Sequence, residues 1–154
     1  MGQAKFDAPV QVIVVEDDHT FLSFWKRFLE KIGVHDYRLF TNAYEAREVI
    51  QTRGVMLLIS DITLTGMNGY ELARIAREIC PKCRVILTTA YSANLSRFNL
   101  NACAFHLVPK PYNDLNELEK LIRHLLAGDE HFDDLSEDSF SENEDFPMVT
   151  EWKL

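Results

Sequence analysis

The run Met56-Leu57-Leu58-Ile59-Ser60-Asp61 constrains the fold more than any other stretch of the chain. Four apolar residues follow one another without alternation, then come a small polar residue and a carboxylate. A strand with one wet face alternates. A continuous apolar run suits a strand buried on both faces of a parallel sheet. The next residues, Ile62-Thr63-Leu64-Thr65-Gly66-Met67-Asn68-Gly69, form a turn or loop with glycines at two positions. Asp61 therefore falls at a strand end, and in open α/β sheets ligands bind beyond the carboxyl ends of the strands. Taken alone, an Asp there more simply caps the turn.

The flanking sequence supplies strands and helices in alternation. Val10-Gln11-Val12-Ile13-Val14-Val15 is β-branched and apolar and ends in Glu16-Asp17-Asp18. A helix follows over about Thr20 to Ile32, with Phe21, Leu22, Trp25, Phe28, Leu29 and Ile32 at helical spacing and Gly33 as its stop. Tyr37 to Thr41 reads as a short strand. Asn42 is placed to cap a helix from Ala43 to Arg53, which Gly54 ends. After the Asp61 strand, Tyr70 to Ile79 reads as a helix closed by Pro81, and Arg84 to Ala90 as a strand ending in hydroxyls. Ser92 to Leu100 is a weaker helix, Ala104 to Val108 a fifth strand, and Asn113 to Leu126 a last helix with Leu115, Leu118, Leu121, Ile122 and Leu125 facing inward. The pattern predicts a doubly wound α/β fold with a five-stranded parallel sheet and five helices.

Charge divides the chain in two. From Gly128 onward there are ten acidic residues and one basic, so residues 128–154 carry −9 of the net −8 and the body carries +1. The expected organisation is a domain over 10–127 and an acidic tail over 128–154. The nearly neutral body offers no basic face for nucleic acid, and no apolar run reaches bilayer length. Without an apolar targeting segment near Met1, a cytoplasmic protein is expected. Three cysteines do not suggest a disulfide framework. Cys80-Pro81-Lys82-Cys83 has redox spacing but follows a helix, whereas thiolate stabilisation needs a helix N-terminus.

In a parallel sheet, Glu16, Asp17 and Asp18, Asp61, Thr89 and Lys110 all lie toward one edge. Clustered carboxylates repel, and a hard divalent cation such as Mg²⁺ relieves that cost. A hydroxyl and an ammonium nearby suit a ligand with several anionic oxygens. Together these are the parts phosphoryl transfer uses, and an Asp carboxylate can itself be the nucleophile.

Val14-Val15-Glu16-Asp17-Asp18, the run from Asp61 to Leu72, Leu87-Thr88-Thr89-Ala90 and Lys110-Pro111 together resemble the receiver domain of two-component response regulators. The resemblance covers about Val10 to Ala127 and implies a flavodoxin-like receiver fold. It implies that Asp61 is the phosphoacceptor, with Asp17, Asp61 and the Thr63 carbonyl ligating Mg²⁺ and Glu16 acting through metal-bound water. Thr89 would hydrogen-bond the phosphoryl group, Lys110 would pair with its oxygens, and the bond before Pro111 would be cis. The implied partners are a sensor histidine kinase or phosphotransfer protein and a downstream protein, with no nucleic acid or membrane; a homodimer is compatible. The protein would be no enzyme beyond its own phosphorylation and dephosphorylation.

Three positions depart from the family's usual pattern. Thr65 stands where Pro is usual and Asn68 where Asp is common. The switch aromatic expected three residues before the lysine is Leu107. An alternative reading is therefore a phosphorylation-independent interaction module acting through its surface and acidic tail, whose Phe and Trp residues could anchor a partner. An Asp-dependent phosphatase is weaker, because such enzymes commonly use a second Asp where this chain has Thr63.

Overall fold

The computed structural model describes residues 6, 8–90 and 104–128. The elements are β1 (Val10–Val15), α1 (His19–Lys31), β2 (Tyr37–Phe40), α2 (Ala43–Arg53), β3 (Val55–Asp61), α3 (Gly69–Ile79), β4 (Arg84–Thr89), β5 (His106–Pro109) and α4 (Leu115–Ala127). The expected helix over Ser92 to Leu100 and the tail lie outside the described residues.

All five strands are parallel, in the order β2-β1-β3-β4-β5. Successive strands run to opposite sides of β1, so the winding reverses between β1 and β3. A crevice opens at such a switch point beyond the strand ends. Register brings those ends level: Val15 pairs with Ser60, Asp61 with Thr88, and Thr89 with Pro109.

Each sheet face has its own core. Val15, Ile50, Leu58, Leu72, Ala73 and Leu87 bury on the α2/α3 face, and Val14, Trp25, Leu29, Ile59, Ile86 and Ile122 on the α1/α4 face. Full burial of one such aliphatic side chain contributes about 1.5–3 kcal/mol. β3 feeds both cores, which is why its sequence does not alternate.

The caps follow from local chemistry. Asn42 Oδ1 accepts from the Glu45 amide at 3.0 Å, and Gly33 and Gly54 take the positive φ that ends α1 and α2. Asn68 and Glu71 form a reciprocal capping box at the start of α3.

Two apolar residues sit outside the expected core. Leu115 is 40% exposed and Met56 is 38% exposed. Leu115 is the first residue of α4, and helical side chains lean toward the N-terminus, so it points off the end of the packed turn. Met56 is the second residue of β3, near the edge opposite the crevice. β5 runs two residues later at its start than the alternation predicts, because pairing of His106 with Ile86 sets its beginning.

Candidate functional site

The three acids after β1 take three different places. Glu16 is buried at the strand end, Asp17 is exposed, and Asp18 turns away as the N-cap of α1, accepting from the Thr20 amide at 2.8 Å. The helix-capping role that such a charge cluster often has thus belongs to Asp18. Glu16 Oε2 accepts from the Asp18 amide at 3.0 Å, which aims its other oxygen into the crevice.

Asp61 is buried at the end of β3, and its Oδ1 accepts from the Thr63 amide at 3.2 Å. Oxygens of Glu16, Asp17 and Asp61 lie within 4.8 Å of one another. Lys110 Nζ donates to Asp61 Oδ2 at 3.0 Å and to Glu16 Oε1 at 3.1 Å, with its side chain 7% exposed. The Lys110 amide donates to the Thr89 carbonyl at 2.8 Å, tying the lysine's backbone to the end of β4. The Lys110–Pro111 bond is cis.

Burial raises the Glu16 pKa, and the charge of Asp61 adds to this, while the Asp18 amide and Lys110 work against it. Burial alone would lower the Lys110 pKa. Hydrogen bonds and charge from Asp61, then Glu16, outweigh it and hold the ammonium above its ordinary range. The lysine is thus a fixed cation between two carboxylates.

Thr89 is buried at the end of β4, and exposed Thr63 stands two residues beyond Asp61. Leu107 packs against the α2/α3 core. Cys80 caps the C-terminus of α3, and burial pushes the Cys83 thiol up to about 12, so Cys83 offers no ready thiolate.

Three further residues, which the sequence did not single out as site residues, shape the site. A Cβ on Gly69 would stand 2.1 Å from the Asp61 carbonyl oxygen, so α3 starts in direct backbone contact with the acceptor residue. Lys110 Nζ lies 4.4 Å from the Phe21 ring centroid. The Tyr112 hydroxyl accepts from Trp25 Nε1 at 3.2 Å and also hydrogen-bonds Thr88. Only the glycine, in a loop ending at a helix start, left a trace that sequence reading can use.

Fold and crevice together define a doubly wound signalling module with a phosphorylatable Asp in an acidic pocket. Residues 12–123 match the response regulator receiver domain, and the chain belongs to that family. Receiver domains are signalling modules that take phosphoryl groups from histidine kinases or phosphotransfer proteins and bind Mg²⁺ at an acidic pocket. The chain is 34% identical over 116 residues to the response regulator receiver protein CpdR of Brucella abortus, covering 73% of this chain and 96% of that protein. It is 30% identical over 119 residues to the DNA-binding transcriptional regulator NtrC of Escherichia coli, covering 75% of this chain but 24% of NtrC. It likewise spans about half (48%) of the transcriptional regulatory protein YvrH of Bacillus subtilis. Among solved structures, a CheY-like receiver domain protein from Methanospirillum hungatei superposes with a TM-score of 0.68 at 30% identity, over 80% of this chain and 99% of that one. No helix among the described residues is long and apolar enough to cross a membrane.

Proposed function

We propose that this chain is a stand-alone cytoplasmic receiver, with its signalling domain over 10–127 and an accessory acidic tail over 128–154. It accepts a phosphoryl group on Asp61 from a sensor histidine kinase or phosphotransfer protein and signals by binding a downstream protein. The observation that carries this reading is the single Lys110 ammonium held at 3.0 Å from Asp61 and 3.1 Å from Glu16 at the switch point of the sheet.

An Asp61 carboxylate oxygen attacks phosphorus; the new P–O bond forms as the donor's P–N bond breaks. The electron pair leaves with the donor imidazole nitrogen, which takes up a proton. Lys110 stays in place through this change and offsets the charge on the transferred oxygens. The Thr89 hydroxyl donates to a phosphoryl oxygen. The oxygen-only donor set of Glu16, Asp17 and Asp61, with the Thr63 carbonyl, fits Mg²⁺. Bound there, the ion would supply further neutralisation of phosphoryl charge. Once formed, the aspartyl phosphate adds negative charge at the ends of β3 and β4 and biases the surface that β4 and β5 present.

The test is labelling with a small phosphodonor such as acetyl phosphate and Mg²⁺, read as a mass increase on the intact protein. Wild type should label and Asp61→Asn should not; labelling that survives in Asp61→Asn removes the assignment. Leu107 gives specific weight to a second reading, a phosphorylation-independent interaction module, because β5 presents an aliphatic side chain where the family's switch aromatic is expected. Equal affinity for a partner before and after labelling would select it.

A further inference from the structure

We infer that Phe21 is a positioning residue for Lys110, and that its aromatic face sets how fast Asp61 gains a phosphoryl group. The inference rests on the phosphoacceptor reading of Asp61. An ammonium has three donors, and here two are taken by Asp61 and Glu16. The Phe21 ring lies 4.4 Å from Nζ, well inside the range of a cation–π contact. A lysine stem is flexible, and an ammonium attracts water strongly. A π face beside it leaves water less room and favours the charged form without competing for the carboxylates.

The ring is itself held. Phe21 sits in the first turn of α1, one turn from the Asp18 cap, half-buried. Tyr112 meets it edge-on, with centroids 5.6 Å apart at 81°. Tyr112 in turn stacks on Phe24 at 5.1 Å and takes the Trp25 hydrogen bond. A chain of rings thus leads from buried Trp25 to the lysine. An ordinary packing role would need only an apolar group of this size. The geometry adds that the ring presents its face to a cation buried against two carboxylates.

Four proteins discriminate the two roles: wild type, Phe21→Leu, Phe21→Tyr and Phe21→Ala, each labelled with acetyl phosphate and Mg²⁺. Leucine keeps most of the apolar volume and lacks the π face. The labelling rate should fall about 2- to 30-fold in Phe21→Leu and Phe21→Ala and recover in Phe21→Tyr. A second readout needs no phosphodonor: the Lys110 ε-methylene proton signals should be shifted upfield by the ring in wild type and in Phe21→Tyr, and return to ordinary lysine positions in Phe21→Leu. Wild-type rate and unshifted signals in Phe21→Leu would leave Phe21 a packing residue. A wild-type protein that shows the upfield signals but never labels would refute the phosphoacceptor reading, and with it the rate effect, while the contact itself stands.

Discussion

The two faces of the sheet hold the pocket by different means. The α2/α3 face packs four alanines, Ala43, Ala46, Ala73 and Ala76, among larger aliphatic residues and the buried Phe105 ring. Small side chains let helices approach closely, and α3 reaches the strand end through Gly69, backbone against backbone. On the α1/α4 face an aromatic cluster joins an aliphatic core. Trp25 and Phe28 are buried, Phe24 and Tyr112 pack on them, and a side-chain hydrogen bond links Trp25 to Tyr112. The first face fixes the main chain of Asp61; the second fixes the side chain of Lys110. Acceptor and cation are therefore held from different faces; they meet at the 3.0 Å ion pair, with Glu16 bonded to the same ammonium and the end of β4 beside both. Substitutions on one face should move one partner and leave the other.

Gly69→Ala should give the largest effect. Alanine is the better residue inside a helix by about 1 kcal/mol, so propensity alone predicts a gain. The added Cβ at 2.1 Å from the Asp61 carbonyl oxygen forces backbone to move, which we expect to outweigh that gain and leave a net loss of about 3 kcal/mol in denaturant unfolding. The amide signals of Asp61 and Ile62 should shift, while the Lys110 side chain keeps its place. A neutral or stabilised Gly69→Ala would dissolve the contrast between the faces.

β5 stands between the two faces, sending Leu107 to one core and Val108 to the other, and its first residue adds a pH dependence. Burial, with Arg84 and Arg77 nearby, lowers the His106 pKa from 6.5 to about 4. The unfolded chain therefore binds a proton at pH 5 to 6 that the folded chain refuses, and stability falls as pH drops from 6.5 toward 4. At 1.36 kcal/mol per pH unit the window allows about 3 kcal/mol, and about 2 kcal/mol once the partial exposure of the ring is allowed for. The raised Glu16 pKa works in the opposite direction, so the comparison is wild type minus His106→Asn. That difference should slope over pH 4–6.5 and be flat above it.

Trp25→Phe tests the aromatic face. It removes the donor to Tyr112 and some volume, for a loss of about 1–2 kcal/mol. Its distinctive sign is where the change is felt: at Tyr112, Phe21 and the Lys110 side chain, with the Gly69 amide unmoved. A response confined to the neighbourhood of Trp25 would break the proposed link from core to lysine.

These contrasts also mark what could be read from the sequence. β3 was legible because burial on both faces forbids alternation, and Glu16, Asp61 and Lys110 were legible because parallel strands end on one edge. Asn42, Gly33 and Gly54 signalled their helix ends through local chemistry that needs no tertiary contact. Leu115 and Met56 fit an apolar pattern, but periodicity does not say where an element runs past its neighbours. β5 starts two residues later than its apolar pattern predicts because the Ile86–His106 pairing that begins it is a contact across the sheet. The ring chain was illegible for the same reason: Trp25 and Tyr112 lie 87 positions apart, and each reads alone as an ordinary apolar residue.

The smallest expected effect concerns Asn68, where the family commonly has Asp. Asn68 Oδ1 accepts from the Glu71 amide at 2.8 Å, and Glu71 answers to the Asn68 amide at 3.4 Å. A carboxylate at this position can accept the same bond, and its charge suits a helix N-terminus. Asn68→Asp should therefore change stability by less than about 0.5 kcal/mol, whereas Asn68→Ala should cost about 1 kcal/mol. The cap immediately precedes Gly69, so loosening it should increase motion at the Asp61 main chain. Hydrogen exchange at the Gly69 amide, which donates to the Ile62 carbonyl at 3.0 Å, reads this directly. Faster exchange in Asn68→Ala, with the Lys110 ε-methylene signals unchanged, would extend the division of labour to the end of α3. A change at Lys110 of equal size would mean that the two faces are coupled after all, through Asp61 itself.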